Sequence, residues 1–354
     1  MNRVCRTAIM ACTLLLVATV ARAQSIEIIE SELSNPRGLA FAPNGDLYVV
    51  EAGKGGSESC HVGPTGPRCF GLTGAIIRID LRRGITEIVA DGLPSLATAA
   101  GASATGPHDI GFQGQGNLYF TIGFGGDPDL RLTALGDIGA SMAQVARLLP
   151  NGDLRLTADL GTYEAVANPD DDLPDTNPFG ILVLPGRRIV ADAGGNTLLE
   201  VGANGNVRTL AVFPEFRLIP GGQLRDAVPT GLALGPDGAY YVGQLTGAPF
   251  AVGAANVYRV PPQGGVPEVY KSGFTNIIDI EFGPDGSLYV LQIANPIPNF
   301  ADGELFRIAP DGTRTEIDVP LSAPGGIAIA KDGTIYVTNN STSPTLGQVL
   351  RIHP

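Results

Sequence analysis

The 354-residue chain has no tryptophan, three histidines and four cysteines. No H-E-x-x-H, G-x-S-x-G or phosphate-loop string is present, which removes the zinc-protease, serine-hydrolase and P-loop signatures. Positive charge is scarce. Lys and Arg number 23 against 35 Asp and Glu, a formal net charge of −12. That balance argues against nucleic acid and anionic membrane surfaces as partners. A sustained helical period is missing too, and the nearest approach to one, 130–151, reads as loop plus strand. The longest apolar run, 8–20, has 13 residues and is too short to span a bilayer, so no membrane span is expected.

That run has another reading. Arg3 and Arg6 precede it, and Ala21-Arg22-Ala23 follows as a small-x-small cleavage site. Residues 1–23 therefore read as a secretory signal peptide, cut before Gln24, and the protein is expected to be secreted or periplasmic. Cys12 lies inside the apolar core rather than after it, which argues against lipid attachment. Cleavage takes the charge to about −15 and leaves two cysteines, Cys60 and Cys69. Nine residues apart in a glycine-rich loop, they read as a disulfide in an oxidising compartment. The alternative is a metal site, for which His61 is the nearby soft ligand.

Glycine and proline are abundant, at 48 and 28 residues, which suits many short strands and tight turns. VPTGLALGPDGAYYVGQLTG (228–247) reads as a hairpin: an apolar run, a Pro-Asp-Gly turn and a Tyr- and Val-rich return strand. Similar hairpins occur at 35–53, 106–126, 177–196, 277–295 and 323–340. Anchored on Gly38, Asp109, Gly180, Gly231, Asp279 and Gly326, the spacings are 71, 71, 51, 48 and 47 residues. An all-β repeat near 45–50 residues is the mark of a β-propeller blade. The expected fold is all-β, a six-bladed propeller of residues 24–354 with four antiparallel strands, A to D, per blade. The sixth repeat stops after its third strand at 348–352. Residues 25–31, which resemble a fourth strand, are expected to complete it and close the ring.

Loop lengths point to one working face. The A–B and C–D turns are uniformly short, while the connections at 53–73, 123–142, 162–177 and 245–255 are long. Long loops on a rigid scaffold are where binding sites concentrate. On that face the ends of the B strands align Glu51, Ile122, Asp192, Gln244, Gln292 and Asn339. The starts of the A strands align Gly38, Asp109, Gly180, Gly231, Asp279 and Gly326, with His108 and Asn177 beside them. Glu51, Asp109, Asp192 and Asp279 form a candidate set for a cation such as Ca²⁺, which takes carboxylate and amide oxygens. His108, Asn177, Gln244, Gln292 and Asn339 are the candidate ligand-binding residues. The alternative is that both rings cap loop backbones and wet the central axis. His108 and Asp109 form either an acid–base pair or a structural contact. The run Asp170-Asp171-Asp172 lacks the spacing and glycine of an EF-hand and reads as a solvated loop.

The segments NPRGLAF (35–41), Cys60 to Gly74, GPHDIGF (106–112), NPFGI (177–181) and VADAGGNTLLEV (190–201) resemble the ScyD/ScyE family. So do VPTGLALGPDGAYYVGQLTGAPF (228–250), VYRV (257–260) and GFTNIIDIEFGPDGSLYVL (273–291). A more distant resemblance is to the NHL and SMP-30/gluconolactonase propellers. The resemblance implies an exported six-bladed propeller and no established reaction. The calcium-dependent lactonases keep a Glu in the first blade's innermost strand; here that strand has none, and Glu51 ends the second strand instead. Two functions are carried forward. One is a module binding a small molecule or a partner protein at the long-loop face. The other is a divalent-cation-dependent hydrolase, lactonase or lyase at the same mouth.

Overall fold

The computed structural model describes residues 25–63, 66–294 and 303–353; the expected signal peptide lies outside them. Six sheets, each four strands deep at its core, are arranged around a central axis. The innermost strands are Pro36–Phe41, Pro107–Gln113, Pro178–Leu184, Pro229–Leu234, Ile277–Phe282 and Gly326–Ile329. Each touches the next, and the sixth touches the first. The N-terminal strand Ser25–Leu33 pairs antiparallel with Gly347–His353, from Ser25 opposite His353 to Leu33 opposite Gly347. Blade six is thus completed by the start of the chain, and the edge of its third strand is covered.

The core is a set of inter-blade layers. Alternate residues of a strand point to opposite faces. In the strand Leu47–Glu51, Leu47 and Val49 pack with Tyr336 and Val349 of blade six. Val50 and Tyr48 pack with Phe120 and Ile110 of blade two. Strands covered on both faces read as continuous apolar runs. Similar layers lie between blades two and three, three and four, four and five, and five and six. The short turns follow the Pro-Asp-Gly chemistry: Gly238 has φ 78°, and Asp237 Oδ1 accepts from the Ala239 N–H.

The inserted segments hold more structure than the sequence pattern suggests. In blade one the third and fourth strands run on as Gly66–Asp80 and Ile85–Ala97, past the body of the sheet. This ribbon buries Phe70 and Leu96 against Phe124 and Met142, which gives the extension its own apolar anchor. Cys60–Gly63 adds to it as a hairpin, and Cys60 and Cys69 are joined by a disulfide. The stretch 162–177, expected as loop, is entered by a helix, Leu160–Ala167. Asp159 caps it by accepting from the Thr162 N–H at 2.8 Å, and Asn168 ends it in the left-handed region. Two short helical turns, Leu130–Thr133 and Gly136–Ser141, precede the strand Gln144–Leu148. No described helix is long and apolar enough to cross a membrane.

Candidate functional site

The ring at the start of the A strands is a seam between blades. Asp109 accepts from the N–H of Ile110 and, across the blade boundary, from Ile181, both at 2.8 Å. Asp279 repeats this with Ile280 and Ile327 at 2.8 and 2.9 Å. The aspartates recur three blades apart, and glycines precede them for want of room. A β-carbon on Gly38 would lie 2.2 Å from Asp109 Oδ1, and one on Gly231 would lie 2.4 Å from Asp279 Cα. Burial raises the pKa of both aspartates, and that of Asp279 is raised further by Asp109. Glu281 joins them, pushed up to about 8 by burial and by Asp109.

The ring at the ends of the B strands ties down loops. Glu51 accepts from the Ser34 N–H, Gln292 from Thr275 at 2.7 Å, and Asn339 from Ser322 at 2.8 Å. Gln244 accepts from the backbone and side-chain amides of Asn256. Asp192 is the most engaged. Its Oδ1 accepts from Asn177 N at 2.6 Å, Gly194 N at 3.1 Å and Gly195 N at 3.3 Å. Its Oδ2 accepts from Thr176 Oγ1 at 2.7 Å. Three donors crowd Oδ1 and one holds Oδ2, so Asp192 serves first as an anchor for the blade-three entry. His108 is 2 % exposed, with Nδ1 3.0 Å from the Pro178 carbonyl and its ring tilted over Phe179. A carbonyl only accepts, so Nδ1 carries the hydrogen. Burial and Arg37 push the imidazole down to about 3, which keeps it neutral near pH 7.

Of these residues, Asn177 lines the cleft that opens on the long-loop face. The cleft has a volume of about 240 Å³. Blade one's disulfide ribbon contributes Arg68, and the loop after blade two's second strand contributes Phe124 and Gly125. The entry to blade three contributes Asp175 and Asn177, and the entry to blade four Asp226 and Val228. Asn177 is positioned from both sides: its N–H goes to Asp192, and its Oδ1 accepts from the Phe124 N–H at 3.1 Å. Arg68 donates to the Ser103 carbonyl at 2.6 Å. Val228 is held at φ 54°, rare for a β-branched residue, with its N–H on Asn196 Oδ1 at 3.0 Å.

The cleft therefore presents both signs of charge. Burial lowers the pKa of Arg68. Asp175 is pushed up to about 6 by burial and by Asp192. Asp226 is also raised, by burial and by Asp172 and Asp170. A half-buried carboxyl that titrates near 6 can hold or release a proton near neutrality, as a general acid or base must. Beside the cleft, Asp172, Glu215 and Asp226 bring three exposed carboxylates within 4.8 Å of one another, the one such acidic group among the described residues. Sequence reasoning missed Arg68, Asp175 and Asp226. Arg68 adjoins Cys69, which is the signal that could have found it; the two aspartates lie in crossings that no repeat aligns.

Solved structures of similar shape are six-bladed propellers of the SMP-30/gluconolactonase kind. Regucalcin from Agrobacterium tumefaciens, described as a calcium-binding protein, superposes with a TM-score of 0.54 and 15 % identity over 92 % of each chain. A gluconolactonase from Xanthomonas campestris gives 0.53 and 10 %, covering 92 % of this chain and 88 % of its own. A streptogramin B lyase gives 0.51 and 14 %, covering 93 % and 97 %. At these identities the likeness shows the fold alone. No family model matches the chain. No curated protein matches it in sequence.

Proposed function

We propose that the protein is an exported propeller of the ScyD/ScyE kind that binds a small polar molecule in the cleft of its long-loop face. The observation that carries this reading is the lining: Arg68 and the carboxylates Asp175 and Asp226 share a space of about 240 Å³. Such a cleft suits a metabolite bearing both an acceptor and a donor or cationic group. Export is supported by the pattern of residues 1–23 and by the disulfide. Sequencing the N-terminus of the secreted protein checks it, with Gln24 expected first.

A second reading, a hydrolase, lactonase or lyase, is favoured by Asp175, whose carboxyl is raised to about 6 inside the cleft. Propellers with lyase and gluconolactonase activity share the fold. In that reading Asp175 is the acid–base group, and Arg68 stabilises developing negative charge. One experiment separates the two: a metabolite and lactone screen on the purified protein, with and without Ca²⁺, read by melting temperature and by turnover. Binding lost in Arg68→Ala, without turnover, supports the binding module. Turnover lost in Asp175→Asn supports the enzyme. A screen in which neither variant differs from wild type rejects the cleft as the site.

A further inference from the structure

Arg37 is a buried cation without an anion. It stands second in the innermost strand of blade one, is 7 % exposed, and enters no ion pair among the described residues. Its Nη2 donates to the Ala104 carbonyl at 2.7 Å, while its Nε, also buried, has no partner. The other two buried arginines among the described residues are compensated: Arg131 pairs with Asp159 at 2.8 Å, and Arg188 lies over the Tyr119 ring at 4.7 Å. The charge that bears on Arg37 is that of Arg68, of the same sign. Burial and that repulsion push Arg37 down to about 10. The two guanidinium groups reach the same piece of chain. Arg68 donates to the Ser103 carbonyl at 2.6 Å, and Arg37 to the next carbonyl, that of Ala104. Asn35 holds this piece: its Nδ2 donates to the Gly101 carbonyl at 2.8 Å, and its Oδ1 accepts from the Ala104 N–H at 3.4 Å. Thr105, the next residue, lines the cleft together with Arg68. Beyond burial, both arginines help to hold the His108 imidazole down, which places all three groups in one neighbourhood.

Two guanidinium groups on consecutive carbonyls make a positive wall in a chain whose formal charge is −12. A carbonyl carries only partial negative charge, so it satisfies a donor without neutralising a cation. The neutral His108 supplies no negative charge either. Guanidinium groups match the planar fork of a carboxylate, and charge-assisted bonds are stronger than neutral ones. We infer that the blade-one wall of the cleft is a carboxylate site, with Arg68 as the group that contacts the ligand and Arg37 as the second positive charge. Arg37 is a positioning residue, which also fixes the Ala104 carbonyl. A monocarboxylate suits this wall better than a phosphate dianion, because Asp175 and Asp226 share the cleft and repel a second negative charge. The assignment rests on the cleft being the binding site proposed above, and it names the charge of what the cleft takes.

The test is calorimetry, backed by melting temperature, on the mature full chain with pairs that differ in charge and little in shape: acetate with acetamide, and benzoate with benzamide. Wild type should bind the carboxylate of at least one pair at least tenfold more tightly than its amide, and NaCl should reduce that ratio. Arg68→Gln should abolish the preference. Arg37→Gln should cut it at least fivefold with circular dichroism unchanged, and Arg37→Lys should restore most of it. A structural role for Arg37 would weaken both members of a pair and leave their ratio alone. Lys271→Gln, which removes a positive charge in blade five, should keep the ratio within twofold of wild type. A wild type that prefers no carboxylate over its amide overturns the inference, and so does a folded Arg37→Gln variant whose ratio stays within twofold of wild type. Should Arg37→Gln not fold, the ratio in Arg37→Lys decides: within fivefold of wild type supports the inference, and a larger loss overturns the role of charge at Arg37. The two readings fail separately. If the metabolite screen finds a neutral ligand that Arg68→Ala loses, and no carboxylate is preferred, the cleft reading stands and the carboxylate assignment falls. If Arg68→Ala alters no binding at all, the cleft reading itself fails.

Discussion

Asp192 and Glu164 are both buried acids within electrostatic reach of each other, at 0 % and 2 % exposure. Asp192 ends a blade strand and faces four donors from its own turn and from the blade entry. Glu164 lies on a helix in a crossing, and its Oε1 faces none. The same contrast holds between Asp279, which staples blade five to blade six, and Asp175, whose Oδ1 is unpartnered. Strand geometry supplies backbone N–H groups at fixed places, so an acid on the ring becomes part of the scaffold. An acid in an inserted segment has no such supply and is left available for a ligand, a proton or a cation.

The largest effect that would break this contrast comes from removing the scaffold acid. Asp192→Ala leaves the N–H groups of Asn177, Gly194 and Gly195 and the Thr176 hydroxyl without their acceptor. At about 1 kcal/mol or more for each buried donor, the loss should reach about 4 kcal/mol in urea unfolding. Asp192→Asn keeps an acceptor and should lose less. A loss below about 1 kcal/mol for the alanine variant would show that this carboxylate is not structural.

Next in size is the dependence on pH. Glu164 and Glu281 are raised from 4.5 to about 8, and Asp175 from 3.8 to about 6, burial being the first cause in each. Asp109 and Asp279 are raised as well. A raised acid binds its proton more tightly in the folded chain than in the unfolded one. Its contribution is therefore full below the unfolded pKa and is lost as pH rises through the folded value. In chelator, stability should fall steadily between pH 5 and pH 8, by about 3 kcal/mol for each acid raised to about 8 and about 1 kcal/mol for Asp175. A curve in chelator that rises over this window contradicts the raised values.

The six repeats, their four strands and the closing strand were legible because inter-blade packing imposes a period on the sequence. The alignment of Gly38, Asp109, Gly180, Gly231, Asp279 and Gly326 also found the seam. What it could not tell was the seam's role: a carboxylate that bridges two N–H groups and one that awaits a cation are the same letter. The helix Leu160–Ala167 was illegible because its exposed Val166 and buried Glu164 break any simple apolar face. Arg68, Asp175 and Asp226 come together only through tertiary structure, from blade one's ribbon and two crossings with no common spacing.

A smaller effect is expected at the disulfide. Cys60 and Cys69 close a short hairpin beside Arg68, so Cys60→Ser with Cys69→Ser should ease local opening of that hairpin by about 2 kcal/mol. Hydrogen exchange at the Arg68 and Phe70 amides would read this as faster exchange, while the exchange of blade five stays unchanged. Equal loss of protection in blade five would mean that the hairpin and the ring unfold as one unit, and the separation of loop layer from scaffold would fail.

One expected change has the opposite sign to the first. Glu164→Gln replaces a buried acid that holds its proton up to about pH 8 with an amide of nearly the same shape. The glutamine N–H₂ can donate to neighbouring carboxylates and needs no proton from solution. In chelator at pH 5 wild type and variant should be nearly equally stable, because the wild-type acid is protonated there. As pH rises towards 8 the wild type loses its protonated form and the variant does not. The difference should move in the variant's favour by about 3 kcal/mol. Burial raises the pKa of Asp192 as well, but its carboxylate holds four donors that an amide cannot all satisfy, so Asp192→Asn should stay below wild type across this window. A Glu164→Gln variant that is less stable than wild type in chelator at pH 8 would place Glu164 with the scaffold acids, and the contrast with Asp192 would disappear.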